Sequence, residues 1–285
     1  RSWNWTRRPS KVFETFSSRF DNRPPGLFPG GRLRAKGLLV GMRKSRAIAV
    51  ALILLASAVH ISDSTTARAS SIEGKSVFLD PGHNGANDAS ISSQVPNGRG
   101  GTKECQTTGT STADGYPEHT FNWDVAARVR AQLEKMGVRV QMSRADDSSA
   151  GPCVDQRAAA ANAMRPDADV SIHADGGPSS GHGFHINYSA PPLNDAQSGP
   201  AVALATTMRD ALVAAGLQPS TYMGSNGVYG RPDLAGLNLA EYPAVLVETG
   251  NMRNADEAAQ METAEGRQRY ADAITRGIVA FLTRT

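Results

Sequence analysis

Cysteine is scarce in this 285-residue chain, with two residues, and aromatic side chains make up only 6% of it. So little cysteine excludes a small disulfide-stapled scaffold and a cysteine-rich zinc module. Long apolar runs are also missing. The longest, Ala47–Val59, spans 13 residues, short of the roughly 20 that a membrane-crossing helix needs. Acidic residues are rare in one part alone: residues 1–69 carry 3 Asp/Glu against 13 Lys/Arg, whereas residues 70–285 carry 24 against 17. The net charge of +3 and the pI near 9.0 therefore average two unlike pieces. The larger piece is acidic, which removes the electrostatic case for a nucleic-acid partner. What is present is a 40% hydrophobic content, enough for a packed core and too high for wholesale disorder.

The basic front divides at Met42. Met42-Arg43-Lys44-Ser45-Arg46, the apolar stretch Ala47–Val59 and Ala67-Arg68-Ala69 form the charged, apolar and small-x-small regions of a secretory signal peptide. The expectation is a signal peptide over 42–69, cleavage near Ala69, and export to the periplasm or cell wall without a stable membrane anchor. Residues 1–41, rich in Arg, Pro and Gly and without apolar periodicity, read as a disordered upstream extension. In an oxidising compartment the even cysteine count favours a Cys105–Cys153 disulfide. Closing a loop of about 50 residues would stabilise the fold by up to about 4 kcal/mol.

Short apolar runs alternate with amphipathic segments from residue 70 onward. Strands are expected at Ser76–Leu79, Val138–Met142, Ala168–Ile172, Gly183–Tyr188 and Ala244–Val247. Helices are expected at Glu118–Met136, Asp155–Met164, Ala201–Ala215 and Arg267–Leu282. Phe121, Val125, Val129, Leu133 and Met136 recur at helical spacing along one face. Alternation of this kind predicts a single α/β domain over 70–285, with a mostly parallel (mixed) sheet and helices on both faces.

In such sheets function gathers at the carboxyl ends of the strands. Three expected strands end on ionisable residues: Asp80-Pro81-Gly82-His83, His173 and Glu248. Two histidines and a carboxylate suit Zn²⁺, which takes three N/O protein ligands at catalytic sites. Beside His83 and His173, the third ligand could be Glu118 or its neighbour His119, at the start of the long helix. His182 and His185 lie three apart in an expected strand, hence on opposite faces, and read as surface or edge-strand residues. Arg157 is expected to pair with a carboxylate near the sheet edge. Asn254 and Glu257 read as a helix N-cap and its capping-box partner.

The segments VFLDPGHNG (77–85), PEHTFNWDVAARVRAQLEKMGVRVQMSR (117–144), DQRAAAANAMRPDADVSIHADG (155–176) and PAVLVETGNMRNADEA (243–258) together resemble the zinc-dependent N-acetylmuramoyl-L-alanine amidases, the AmiC- and CwlV-type cell-wall hydrolases. That resemblance implies one Zn²⁺ held by His83, Glu118 and His173, and a catalytic role for Glu248. It places Glu118, rather than His119, in the ligand set. It further implies hydrolysis of the amide between N-acetylmuramic acid and L-alanine, with Glu248 taking a proton from water and returning one to the leaving amine.

The chain departs from the family pattern in places. Asn84 replaces a usual Gly, and an insertion of about thirty residues, Gly85–Gly115, carries Cys105 and reads as either a groove wall or a surface excursion. The stretch Asn187–Pro200 lacks the helical period of a covering helix, so an open, monomeric enzyme needing no activator is expected. Two rivals stand beside this reading. One is an exported zinc peptidase or carboxypeptidase, against which Ala86 counts where a Glu is wanted. The other is an inactive wall-binding module, which would need one of the four site residues to be lost. The acidic charge of residues 70–285 offers no attraction to anionic wall polymers, so soluble muropeptides are expected to be processed more readily than intact peptidoglycan.

Overall fold

Alternating burial along the strands decides the architecture. The computed structural model describes residues 71–284; the expected signal peptide and upstream extension lie outside the described residues. Strand β1 (Ser76–Pro81) is followed by a hairpin of β2 (Gln94–Pro96) and β3 (Thr102–Glu104), then by helix α1 (Glu118–Lys135) and β4 (Arg139–Met142). Helix α2 (Val154–Met164), β5 (Ala168–Asp175) and β6 (His185–Ser189) come next, then the single turn α3 (Asp195–Ser198) and helix α4 (Pro200–Ala214). The chain closes with β7 (Val228–Arg231), α5 (Ala235–Leu239), β8 (Ala244–Asn251), α6 (Ala255–Met261) and α7 (Ala264–Leu282).

Six strands form one sheet in the order β4-β1-β5-β8-β6-β7. The first four run parallel, β6 pairs antiparallel with β8, and β7 runs parallel to β6. The mixed, mostly parallel sheet predicted from the sequence is thus the one observed. The five predicted strands and four predicted helices are all present, with ends shifted by a few residues. Strands β2, β3 and β7 and the short helices α3 and α5 are additions, too brief to carry a periodic apolar signal, whereas α6 begins at the N-cap read at Asn254.

Because successive side chains leave a strand on opposite faces, each central strand sorts its residues. Val77, Leu79, Val170, Ile172, Val245 and Val247 point to one face and are fully buried beneath α1, α4 and α7. There α1 contributes Phe121, Val125, Val129 and Leu133, the stripe read from the sequence. Each such side chain stabilises the fold by about 1.5–3 kcal/mol relative to an exposed position. The intervening residues Phe78, Asp80, Asp169, Ser171, His173, Asp175, Leu246 and Glu248 face the other way. Helices α2 and α5 cover only part of that second face. Its uncovered, polar part is where a groove opens.

The insertion borders that groove. Arg99, at the tip of the β2–β3 hairpin, donates from Nε to Asn238 Oδ1 (3.1 Å) and from Nη2 to Ser189 Oγ (3.0 Å) and the Pro191 carbonyl (2.6 Å). Asn238 returns a bond from Nδ2 to the Asn97 carbonyl at 3.0 Å. These bonds seat the hairpin on the α5 region. Of the two readings of Gly85–Gly115, the groove wall is the observed one. At its other end the predicted bridge is present: Cys105 and Cys153 are disulfide-bonded.

Candidate active site

Glycine opens the site. A Cβ on Gly82 would lie 2.1 Å from the His173 ring, so only glycine lets β1 pass so close beneath that imidazole. His83 follows with φ of +62°, a left-handed conformation unusual for a non-glycine residue, and the turn aims its ring back over the sheet. Arg157 holds the turn. From α2 it donates to the carbonyls of Pro81 (2.9 Å) and His83 (2.8 Å), and to Asn84 Oδ1 (2.7 Å). Asn84, the departure from the family's usual glycine, is therefore a buried acceptor for this arginine. Arg157 also pairs with Asp80 at 2.7 Å, the carboxylate expected for it.

Glu118 is the first residue of α1, behind Pro117, where the helix dipole favours a carboxylate. Its two oxygens are divided: Oε2 lies 3.0 Å from His83 Nε2, and Oε1 lies 2.9 Å from His173 Nδ1. One turn further along, Asn122 donates to Oε1 at 3.3 Å. Among the described residues, His83, Glu118 and His173 bring potential ligand atoms to within 4.8 Å of one another. His119 turns aside to Asp147, at 2.8 Å, and stands outside this cluster.

The donor set itself tests whether a metal ion fits. His83 Nδ1 donates to the Thr107 carbonyl at 2.8 Å, so Nε2 carries the lone pair of the neutral ring. That lone pair faces a carboxylate oxygen. Two acceptors held so close in a buried place require a cation between them or a proton on the ring. The titration behaviour agrees. Burial opposes charge on His83, but the Glu118 hydrogen bond and charge outweigh it and raise the imidazole pKa. Burial likewise opposes a charged Glu118, yet hydrogen bonds from both histidines hold it well below the ordinary carboxylate range. Two imidazoles and a carboxylate are a ligand set for a divalent transition metal.

Glu248, on β8, stands opposite His173 in the β5–β8 register and lines the same groove. Its Oε2 is shut off from solvent and has no hydrogen-bond partner. Burial, followed by the charges of Glu118 and Asp175, pushes its pKa well above the usual value. A carboxylate of raised proton affinity, beside a metal-type ligand cluster, has the character of a proton acceptor.

The groove, about 340 Å³ in volume, runs from this centre between the insertion and α5, past Lys103, Thr107, Arg231 and Leu234. Several of its residues escaped the sequence reading. Asp175 lies two positions beyond His173 on the same face, so strand periodicity could have found it; its Oδ2 accepts the Tyr222 hydroxyl at 3.0 Å. Lys103 and Arg231 come from elements without a sequence signal. His185 is a correction. It is buried, 1% exposed, on an interior strand with its ring edge-on to Tyr222, not a surface or edge-strand residue. His182 is exposed and outside the groove.

Comparison with known proteins places this geometry. The family model described as N-acetylmuramoyl-L-alanine amidase matches residues 77–280. The N-acetylmuramoyl-L-alanine amidase Rv3717 of Mycobacterium tuberculosis is 60% identical over 230 residues, 81% of this chain and 95% of that protein. The crystal structure of the amidase Ami1 from Mycobacterium smegmatis superposes with a TM-score of 0.75 at 63% identity, covering 75% of this chain and 99% of that one. The amidase AmiC2 of Nostoc punctiforme shares the fold at 24% identity, with a TM-score of 0.57 over 74% of this chain and 99% of the other. With that match spanning both histidines and both glutamates of the groove, the chain belongs to the N-acetylmuramoyl-L-alanine amidase family.

Proposed function

We propose that this protein is a Zn²⁺-dependent N-acetylmuramoyl-L-alanine amidase that cleaves the amide between the lactyl group of N-acetylmuramic acid and L-alanine in peptidoglycan or its fragments. Membership in the amidase family carries the activity. The observation that carries the assignment of residues is the division of the Glu118 carboxylate between two imidazoles, with the unpartnered Glu248 oxygen in the same groove. His83, Glu118 and His173 would hold the ion. Such an ion supplies Lewis-acid chemistry, polarising the amide carbonyl and making water acidic enough to attack near pH 7.

The remaining steps belong to the chain's own groups. Glu248, whose carboxylate lines the groove, accepts a proton from the attacking water, keeps it by virtue of its raised proton affinity, and delivers it to the departing alanine nitrogen. The Thr107 carbonyl fixes the His83 tautomer, and Asn122 orients Glu118. The groove between the insertion and α5 receives the muramyl peptide. With its signal peptide over 42–69 removed, the domain 70–285 acts in the periplasm or cell wall as a monomer, open to substrate without an activator. Among the described residues no helix is long and apolar enough to cross a membrane.

The test is digestion of a defined muramyl dipeptide by metal-free and Zn²⁺-reloaded protein, followed by mass analysis. Release of intact N-acetylmuramic acid and the free peptide, only after reloading, is expected. Cleavage at a peptide bond instead would establish the peptidase alternative, and no cleavage would leave a binding module.

A further inference from the structure

The segment that follows β3 is exposed at Thr107, Thr108 and Gly109, yet it touches two of the three proposed metal ligands. The Thr107 carbonyl accepts from His83 Nδ1 at 2.8 Å. The Thr110 backbone N–H donates to Glu118 Oε2 at 2.9 Å, and the Glu118 N–H donates back to the Thr110 carbonyl at 3.0 Å. Between them Gly109, with φ of +78°, leaves no room for a side chain: a Cβ there would sit 2.8 Å from both Glu118 Oε2 and His83 Cδ2. The strap thus fixes the ring orientation of one ligand and the rotation of another.

Apolar packing does little to hold such a strap, because Thr107–Gly109 are solvent-facing. Its seat is the covalent bridge just before them. Cys105 is bonded to Cys153, the Cys105 carbonyl accepts from Val154 N–H at 2.9 Å, and the Cys105 and Gln106 amides donate to Ser93 and Ile91. Cys153 is also the N-cap of α2, the helix from which Arg157 grips the His83 carbonyl. Two arms therefore leave one disulfide and meet again on His83, one through Thr107 and the other through Arg157.

We propose that the strap Cys105–Thr110 is a ligand-positioning device, seated by the Cys105–Cys153 bridge, so that metal retention depends on a disulfide that contributes no ligand. Groups that orient metal ligands from outside change metal affinity by about 10- to 100-fold when altered, and the strap holds two ligands at once. The inference rests on the reading of His83, Glu118 and His173 as ligands.

The experiment measures Zn²⁺ affinity by competition with a chromophoric chelator, at a temperature well below unfolding. It also records the visible spectrum of the Co²⁺-substituted protein. Four proteins are compared: the unaltered chain, Gly109→Ala, Cys105→Ala/Cys153→Ala and His83→Ala. Both strap variants are expected to bind Zn²⁺ about 10- to 100-fold more weakly, with a shifted Co²⁺ spectrum and unchanged far-ultraviolet circular dichroism. A merely structural bridge would lower the melting temperature while leaving Zn²⁺ affinity and the Co²⁺ spectrum as they were. That result in either strap variant overturns the proposal. Should the double cysteine variant not fold, Gly109→Ala, which keeps the bridge, decides whether the strap positions the ligands, and Cys105→Ser and Cys153→Ser taken singly decide whether the bridge seats it. Wild-type affinity in His83→Ala would instead refute the ligand assignment, a distinct failure.

Discussion

Arg157 donates to the carbonyl of His83 at 2.8 Å from a side chain that is 3% exposed. The same guanidinium serves Pro81, Asn84, Pro152 and Asp80, while Arg144 donates a second bond to the Pro81 carbonyl at 3.1 Å. The left-handed backbone at His83 is thereby over-determined, as a strained functional turn must be. Burial would raise the Asp80 pKa, but the charge of Arg157 and the bonds from Ser143 and Arg157 bring it down to about 2.

Replacing Arg157 by Met strands a buried carboxylate and several carbonyls. Breaking a buried pair from one side costs about 3–5 kcal/mol. Urea unfolding of Arg157→Met at pH 7 is expected to show a loss of that size. An unchanged midpoint would mean that the turn at His83 holds itself.

Glu248→Gln separates chemistry from stability. Amide nitrogen and oxygen cannot shuttle the proton, so turnover of a muramyl peptide should fall by at least about 100-fold, with Zn²⁺ stoichiometry retained. Stability should move the other way. One oxygen of the native carboxyl, Oε2, is buried without a partner, beside the charges of Glu118 and Asp175, and a neutral amide relieves that repulsion. A gain of about 1 kcal/mol would raise the melting temperature of the metal-free protein by roughly 2–4 °C. A variant that is less stable and still active would contradict both halves of the argument.

The legible parts of the molecule were those written in local pattern. The stripe Phe121–Val125–Val129–Leu133 announces α1, and Asp80-Pro81-Gly82-His83, His173 and Glu248 each follow an apolar strand. Why these strand ends converge was less legible, because it depends on strand order: β5 lies between β1 and β8 only through crossovers that bring residues more than 70 positions apart into register. The insertion was half-legible. Cys105 and Cys153 indicated a bridge, but the docking of Arg99 on Asn238, 139 positions away, leaves no local trace. The capping box expected at Asn254–Glu257 was read in part. Asn254 does cap α6, whereas Glu257 turns to the backbone of Gly183 and Asn251, a tertiary partner that outcompetes the local one.

His185 gives the fold an acid-sensitive element. Burial drives its pKa down from 6.5 to about 4, against the opposing charge of Asp175 and with help from Arg231. The unfolded chain therefore binds the proton first. Stability from this residue is complete above about pH 6.5 and is lost as the pH falls toward 4, by about 2 kcal/mol at pH 5. Urea unfolding of metal-free protein at pH 7 and pH 5 should show this loss, and His185→Gln should show a smaller difference between the two pH values. Metal must be absent, since its own binding depends on pH. Equal losses in both proteins would remove His185 from the account.

Asp169 carries the opposite sign. It lies on the polar face of β5, 8% exposed, and its Oδ1 has no hydrogen-bond partner. Burial, reinforced by the charge of Asp80, pushes its pKa well above 3.8. A carboxyl whose folded pKa is raised stabilises the fold while protonated. That contribution falls away as pH rises from the unfolded value through the folded one. At pH 7 and above, the unfolded state is favoured by its freedom to ionise this group in water. Asp169→Asn keeps the shape and removes the titration, so it should be more stable than the parent at pH 8 and gain little at pH 4. The two unfolding curves, compared at both pH values, decide the point: a variant destabilised at pH 8 would show that the carboxylate is ionised and held there by Arg157 or by ordered water.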